Sequence, residues 1–319
     1  MKVVKVKLNN KSHSKLELNS LTVGEVLVYD IWIKKDTEYS IIIKAGTKLI
    51  DKLFKELEKQ ENLYISASDK NKKDLTSESL LNYIKYNKSD YKKALSLLYQ
   101  VNNNIFSDYM SSTENKINIT SIDEIVKSMV YLVQNDSNYL KETIPYFKDE
   151  YELDIHSLHV AIYSISLGNI LDFSYEELLK LGTAGLLHDL GLKDINDSIR
   201  KKESKLDQEE LDAVSKHARH SAEIVKKNSV HNPYIIEAIM HHHEAQDGSG
   251  YPEGLIAENI SPFASILSIS DNFDALTSNR PYREKYSTFE ALKKMMKEES
   301  MANKFNQNYL RKFLESLLA

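Results

Sequence analysis

Nine of the ten histidines in this chain of 319 residues lie between His156 and His243, among several carboxylates. Neutral imidazole and carboxylate are natural ligands of divalent Fe, Mn, Zn and Co. The chain has no cysteine, so a thiolate site is excluded. The crowding therefore predicts a metal site of histidine and carboxylate. Its candidate ligands are Glu152, His156, His188, Asp189, His217, His242, His243 and Asp271.

Each candidate also has a structural alternative. A single histidine on an apolar helix face is more often a core residue than a ligand, and a buried carboxylate such as Asp271 can cap a helix. The metal hypothesis rests on the whole set, in which Glu152 and His156 are four residues apart and would share a helix face. Three further histidines are expected to be core residues or to support the ligands: His159, His220 and His241.

Ligands that are far apart in sequence need elements that bring them together, and facing helices of a bundle can each project one or two inward. Apolar residues recur at helical spacing from Ser121 to Ala319, except in the loop 246–258. The pair His188-Asp189 directly follows an apolar run, as expected where a buried helix ends at a site. The sequence therefore predicts a mainly α domain over 118–319.

The first 66 residues have a different pattern and predict a small β-rich domain. Strands are expected at 4–8, 23–33, 39–43 and 63–65 because these stretches alternate or are rich in β-branched residues. A helix is expected over 49–59, with Thr47 as its N-cap. Residues 67–117 are expected to form a linker and a connecting helix. The predicted fold class is mainly α, with the helical bundle preceded by a small α+β domain.

The candidate ligands lie in a series of short motifs between His156 and Arg283. The main stretches are His156-Ser157, Leu187-His188-Asp189-Leu190-Gly191, Lys216-His217, His242-His243-Glu244, Asp247-Gly248-Ser249-Gly250-Tyr251-Pro252, Ser270-Asp271 and Arg280-Pro281-Tyr282-Arg283. In order and spacing these motifs resemble those of the HD-GYP family, a branch of the HD-domain metal-dependent phosphohydrolases.

The resemblance implies an HD-type bundle that hydrolyses cyclic di-GMP, a bacterial second messenger, to linear pGpG and onward to GMP. It implies two or three divalent ions, Fe or Mn, with Glu152 holding the third. It also implies catalytic roles for His188 and Asp189. The substrate contacts implied are Arg280, Arg283 and the loop residues Gly250, Tyr251 and Pro252.

Elementary chemistry agrees with these roles. Two close divalent ions can bind one phosphate oxygen and lower the pKa of a bridging water. The two oxygens of Asp189 can each reach a different ion. Arginine offers two parallel donors to phosphate, although either Arg280 or Arg283 has the alternative of being a surface cation.

The sequence departs from the family at one position that bears on catalysis. The family lysine that follows the His-Asp pair falls at Leu192, and Lys193 is its neighbour and the candidate substitute. Expected arginines are also replaced at Ala245 and Ser265. Three hypotheses therefore stand: a cyclic di-GMP phosphodiesterase, a silent receptor that binds the dinucleotide or a partner protein, and a phosphodiesterase for another cyclic or linear dinucleotide.

The net charge of −5 gives no general attraction to nucleic acid or anionic membrane, so neither a nucleic-acid polymer nor a membrane is an expected partner. No signal peptide or spanning segment is recognisable, which favours a cytoplasmic protein. The N-terminal module resembles, over short stretches, a domain often found ahead of HD-GYP domains. We expect it to serve regulation or homodimerisation, and we expect any protein partner at the loop 250–254.

Overall fold

The structure is a computed structural model, which divides the chain into two compact units, Met1–Tyr86 and Asn87–Ala319. It describes residues 13–16, 18, 21, 27, 29–35, 38–44, 47, 49–60, 62–66, 80–81, 84–85, 91–136, 138–149, 152–200, 202, 204, 207–280 and 283–318.

The first unit contains a four-stranded antiparallel sheet. Its strands are β1 (His13–Leu16), β2 (Ile31–Lys35), β3 (Glu38–Ile43) and β4 (Leu63–Ser66), in the order β1-β4-β2-β3. Helix α1 (Asp51–Glu58) buries Leu57 in the same apolar core as Ile31 and Ile65. A sheet with one helix on its apolar side is the α+β unit that the sequence predicts.

The strands expected at 39–43 and 63–65 are present, whereas 4–8 lies outside the described residues. The strand expected at 23–33 is present only from Ile31, since residues 27, 29 and 30 are described but are not in a strand and 23–26 and 28 lie outside the described residues. Thr47 is not the N-cap of α1. The helix begins at Asp51 after Ile50, whose backbone is extended and whose side chain makes no capping hydrogen bond. The helical apolar spacing thus begins before the helix does.

In the part that the structure describes, the second unit consists of helices joined by loops, with two isolated β-bridges. Its helices are α2 (Tyr91–Ser111), α3 (Ile119–Asn135), α4 (Tyr139–Thr143), α5 (Leu153–Ile170), α6 (Tyr175–Leu187), α7 (Asp197–Arg200), α8 (Gln208–Ser215), α9 (His217–Lys227), α10 (Pro233–His241), α11 (Pro262–Thr277), α12 (Thr288–Lys297), α13 (Glu299–Ala302) and α14 (Gln307–Leu318). Short 3-10 turns cover Ile144–Tyr146, Leu190–Asp194 and Ala257–Asn259.

The mainly α prediction is confirmed, but two boundaries differ. Helix α3 begins earlier than expected, because the Asn118 side chain accepts a hydrogen bond from the backbone N–H of Ser121 at 3.1 Å and so caps it. Helix α2, which the sequence assigned to a connecting segment, belongs to the second unit. None of the described helices is long and apolar enough to cross a lipid bilayer.

Helix α5 is the centre of the second unit, since its residues from Ile155 to Gly168 are buried on all sides. It packs closely on α6: a Cβ placed on Gly185 would lie 2.6 Å from the Ala161 Cα. This approach of two backbones brings the C-terminal end of α6 beside the first turns of α5. Helix α11 packs on α5 from another side and is also largely buried.

Candidate metal centre

The candidate ligands sit mostly at helix ends. His188 is the C-cap of α6 and Asp189 follows it, while His217 is the first residue of α9. His242 is the C-cap of α10, and His243 is the next residue. His156 and Asp271 instead project from the buried helices α5 and α11. A helix end frees the following side chains from the helical repeat, so neighbouring residues can both reach one site.

The structure brings seven of the eight candidate ligands together in two groups. One group contains Asp189, His217, His242 and His243, and the other contains His156, His188 and Asp271. Within each group, one ligand atom of every residue lies within 4.8 Å of the others. Each group therefore has the atoms and the spacing to hold one metal ion.

Asp189 belongs to the first group and also faces the second. Its Oδ1 is 3.1 Å from the Nε2 of His217 and 3.8 Å from that of His242. Its Oδ2 is 3.6 Å from the Nε2 of His156 and 3.4 Å from that of His188. Because each oxygen faces a different group, this carboxylate can ligate two ions at once.

The imidazole rings are oriented by hydrogen bonds on the opposite nitrogen. The Nδ1–H of His188, His217 and His242 can each donate to a backbone carbonyl three residues earlier, at 2.8, 2.6 and 2.6 Å. A neutral ring that donates from Nδ1 carries its lone pair on Nε2. These three lone pairs therefore point into the site.

The donor set fits metal ions better than it fits an internal hydrogen-bond network. The Nε2 of His188 is buried without a hydrogen-bond partner among the described residues. The Nε2 atoms of His217 and His242 face each other at 3.3 Å, although both rings donate from Nδ1. Converging acceptors without a shared proton are stabilised by a cation, so the residues can hold metal ions.

The electrostatics favour the metal-binding protonation states except at His217, whose pKa is raised by its hydrogen bond with Asp189 against the effect of burial. Burial lowers the pKa of His188 and that of His242, and it lowers the pKa of His243 to about 4. Although burial opposes ionisation, the surrounding imidazoles hold the pKa of Asp189 well below its ordinary value. Neutral imidazoles around an ionised carboxylate are the ligand forms of these groups.

Asp274 is a functional residue that the sequence analysis missed. Its Oδ2 lies 2.7 Å from the Nδ1 of His156, and its Oδ1 lies 2.8 Å from the Nδ1 of His159. Asp274 therefore fixes the ring of His156 so that the Nε2 faces the site. Its spacing of three residues from Asp271 on α11 is the signal that could have identified it.

The loop after His243 borders the ligands. The ring centroid of Tyr251 lies 4.7 Å from that of His243, and the peptide bond before Pro252 is cis. Glu244 is buried and accepts from the backbone N–H groups of Glu253 at 2.7 Å and Leu255 at 2.9 Å. These bonds hold the loop against the ligand-bearing segment.

Gly250 is required in this loop by the closeness of the chain. A Cβ there would lie 2.3 Å from the backbone nitrogen of Ala245 and 2.5 Å from the carbonyl oxygen of His243. Its part is therefore to let the loop pack directly behind the ligands.

Glu152 lies outside both groups. The helix begins only at Leu153, and Glu152 is its exposed N-cap with an extended backbone. Its carbonyl oxygen accepts the first hydrogen bond of the helix, from the backbone N–H of His156 at 2.9 Å, but its side chain is not among those that gather in the two groups. The geometry therefore gives no support to a third ion held by Glu152.

Lys193 makes contacts other than those expected of a substrate residue. Its ammonium donates to the carbonyl oxygens of Tyr109 at 2.9 Å and Ser112 at 2.6 Å, and to the Oδ1 of Asn115 at 2.8 Å. These acceptors lie at the C-terminal end of α2 and just beyond it. All three donors of the ammonium are used, so Lys193 stabilises a helix end. Its neighbour Leu192 is buried.

Lys193→Met should therefore lower the free energy of unfolding rather than weaken substrate binding. Loss of hydrogen bonds from a half-buried charged group is expected to cost about 1–3 kcal/mol. Urea unfolding would measure the loss, and steady-state kinetics with a cyclic dinucleotide should give an unchanged KM. A raised KM with an unchanged free energy of unfolding would contradict this structural role and would support a substrate contact by Lys193.

The two arginines at the end of α11 also differ from expectation. The guanidinium of Arg283 donates to the carbonyl oxygens of Ala275, Leu276 and Glu284 at 2.7–3.1 Å, which caps the end of this helix. Arg280 is half-buried and forms a two-way backbone bridge with Arg283. The substrate role expected of Arg283 is thus replaced by a structural one in this geometry.

The HD domain family model matches residues 132–305, which is more than half of the chain. Cyclic di-GMP phosphodiesterase PA4108 of Pseudomonas aeruginosa is 35% identical over 147 residues, which cover 46% of this chain and 35% of that protein. The 3'3'-cGAMP-specific phosphodiesterase 3 of Vibrio cholerae is 39% identical over 130 residues, covering 40% of this chain and 28% of that protein. The chain thus spans about a third of the length of these relatives.

Among solved structures, the protein described as Bd1817, a HDG"Y"P protein from Bdellovibrio bacteriovorus, matches with a TM-score of 0.66 and 18% identity. The match covers 97% of this chain and all of that one, and it shows a shared fold. The expected relation to HD-domain proteins is confirmed by the family match over the stretch that carries the ligands. The chain belongs to the HD domain family.

Proposed function

We propose that this chain is a metal-dependent phosphodiesterase that hydrolyses cyclic di-GMP to linear pGpG and then to GMP. The observation that carries the proposal is Asp189, whose two oxygens face two separate groups of buried imidazoles. Relatives that bear the name cyclic di-GMP phosphodiesterase support the substrate class.

We assign two ions to the site, with Fe or Mn as the metal. The seven ligands form two groups, and hard carboxylate oxygen combined with imidazole suits both metals. When bound, a pair of ions supplies a polarised phosphate oxygen and a water nucleophile that is deprotonated near neutral pH. The ligand geometry therefore supports phosphodiester hydrolysis.

The chain's own residues act by orientation. Asp189 sets the distance between the two groups, and the carbonyl-bonded imidazoles keep their lone pairs inward. Tyr251 and Pro252, next to the ligands, form the wall that seats a guanine base. Arg280, which lies beyond the C-terminal end of the helix that carries Asp271, is assigned to a substrate phosphate.

The alternative substrate is the mixed dinucleotide 3'3'-cGAMP, because a relative named for this specificity is 39% identical over 130 residues. A silent receptor is the third reading and rests on Leu192, which stands where the family has a lysine. The intact ligand set weighs against it, since the lysine position is not a ligand position.

Product analysis tests the proposal. Anaerobically purified protein is incubated with Fe²⁺ or Mn²⁺ and either cyclic di-GMP or 3'3'-cGAMP, beside an Asp189→Ala control, and products are separated by chromatography. We expect pGpG and GMP from cyclic di-GMP, with neither formed by the control. Cleavage of 3'3'-cGAMP alone would change the substrate, and bound but intact dinucleotide would support the receptor.

A further inference from the structure

A chain of buried polar groups runs from the ligand His156 to helix α2. It passes through Asp274 and His159 and ends at the hydroxyl of Tyr99, which is hydrogen-bonded to the Nε2 of His159. We propose that Tyr99 and His159 are positioning residues that hold His156 as a metal ligand. The inference rests on the proposed function only in taking His156 as a ligand.

The proton positions along this chain are fixed by its partners. The two carboxylate oxygens of Asp274 lie at hydrogen-bond distance from one ring nitrogen each, 2.7 Å for His156 and 2.8 Å for His159, and a carboxylate accepts from both. His156 and His159 must then both donate from Nδ1. The Nε2 of His159 is left as an acceptor, and Tyr99 donates its hydroxyl proton to it.

Tyr99 is suited to be the end of this chain. Burial raises the pKa of its hydroxyl, so the proton is retained. The same oxygen accepts from the backbone N–H of Lys148 at 3.0 Å. Because the Tyr99 hydroxyl accepts one hydrogen bond and donates another, its O–H is oriented toward His159. Every donor along the polar chain then points toward an acceptor. The result is a lone pair on the Nε2 of His156.

The side chains of the polar chain are also held in place by close packing. His159 and Asp274 are each 1% exposed, and the ring of Phe147 stacks on His159 with centroids 4.2 Å apart. On α2, the side-chain amide of Asn102 donates to the carbonyl oxygen of Asp154 at 2.6 Å. Helix α2 is therefore also fixed to the first turn of α5, next to His156, by a hydrogen bond that is not part of the polar chain.

The same helix supports the other side of the centre. The hydroxyl of Tyr109 donates to the carbonyl oxygen of Leu190 at 3.0 Å, and Leu190 follows Asp189 directly. Helix α2 carries no ligand, yet it contacts the segments of both His156 and Asp189. Its part in the centre is to fix the geometry of residues that belong to other helices.

The test compares two Tyr→Phe variants of the full chain. Tyr99→Phe removes the hydroxyl at the end of the polar chain. Tyr139→Phe is the matched control, because Tyr139 is fully buried in the same unit and its hydroxyl has no hydrogen-bond partner among the described residues. The readouts are the affinity of metal-stripped protein for Mn²⁺, the visible spectrum of the Co²⁺-loaded protein, and the melting temperature.

We expect Tyr99→Phe to weaken the affinity of one Mn²⁺ binding step by about 10-fold, since loss of a hydrogen-bond partner of a ligand typically lowers metal affinity 10–100-fold. We also expect it to change the visible absorption bands of the Co²⁺-loaded protein. Tyr139→Phe should leave both readouts unchanged. His159→Phe, which keeps the ring stacked on Phe147 but removes both hydrogen bonds, should have a larger effect than Tyr99→Phe.

Folded Tyr99→Phe protein with unchanged Mn²⁺ affinity and cobalt spectrum would overturn the inference alone. Failure of both Tyr99→Phe and His159→Phe to fold would also overturn it, because the polar chain would then stabilise the fold and not the position of His156. Absence of metal binding by the unchanged protein would overturn the metal centre itself and this inference with it.

Discussion

Asp189→Asn should abolish turnover and reduce the metal content from two ions per chain to one at most. The amide keeps the size of the side chain but has one acceptor oxygen and no charge, so it cannot bridge the two groups that Asp189 faces. The loss of activity should exceed the roughly 100-fold that removal of an outer hydrogen-bond partner costs a metal site. Elemental analysis of dialysed protein and chromatographic assay would measure both.

The matched control is Asp194→Asn, an exposed carboxylate in the 3-10 turn that follows Asp189. It should keep both ions and full turnover. An Asp189→Asn protein that retained two ions and near-normal turnover would show that this carboxylate does not bridge.

Gly185→Ala should destabilise the second unit strongly and disturb the metal centre. An alanine in a helix interior normally stabilises by about 1 kcal/mol over glycine. Here the added Cβ would lie 2.6 Å from the Cα and 2.9 Å from the nitrogen of Ala161. Backbone atoms cannot rotate away, so α5 and α6 must separate. We expect a net loss of about 1–3 kcal/mol or more, measured by urea unfolding.

Gly168→Ala is the control for the same helix pair. Its added Cβ would lie 2.5 Å from the Cδ1 of Leu181 and 3.0 Å from the Cδ2 of Leu178, which are the far ends of flexible side chains. Its cost should be smaller, and its metal affinity should be unchanged. Equal losses for the two variants would contradict the view that backbone contact positions His156 beside His188.

The grouping of seven of the eight candidate ligands could be predicted from the sequence because the signal was chemical and local. Histidines next to carboxylates, at the ends of apolar stretches, indicated the positions at which buried helices finish. His188 and His242 are found as the C-caps of α6 and α10. The fold class followed from the same helical spacing.

The supporting residues could not be predicted because their partners are distant in sequence. Lys193 binds acceptors about 80 residues earlier, and Asp274 reaches His156 over 118 residues. Family motifs suggested a substrate contact for Arg283, whereas its guanidinium caps the helix beside it. Motifs specify which residue types occur, and tertiary contacts decide which atoms they meet.

Several expectations about association stay predictions. These are a homodimer or regulatory role for the N-terminal unit and a protein partner at the loop 250–254. The loop is an exposed turn tied back by Glu244, which leaves the side chains of Glu253 and Ile256 at the surface. A pull-down experiment that compares the unchanged protein with a variant in which the loop residues 250–254 are all glycine would test whether a protein partner binds at this loop.

We propose that Asp189 would hold two ions, one through each carboxylate oxygen, and that both ions are needed for hydrolysis of a phosphodiester. The most direct test is to add Mn²⁺ in known equivalents to metal-stripped protein and to follow cleavage of cyclic di-GMP at each step. We expect little activity up to the first equivalent and a rise to full activity with the second. Full activity at one equivalent, or activity that persists in excess chelator, would contradict it.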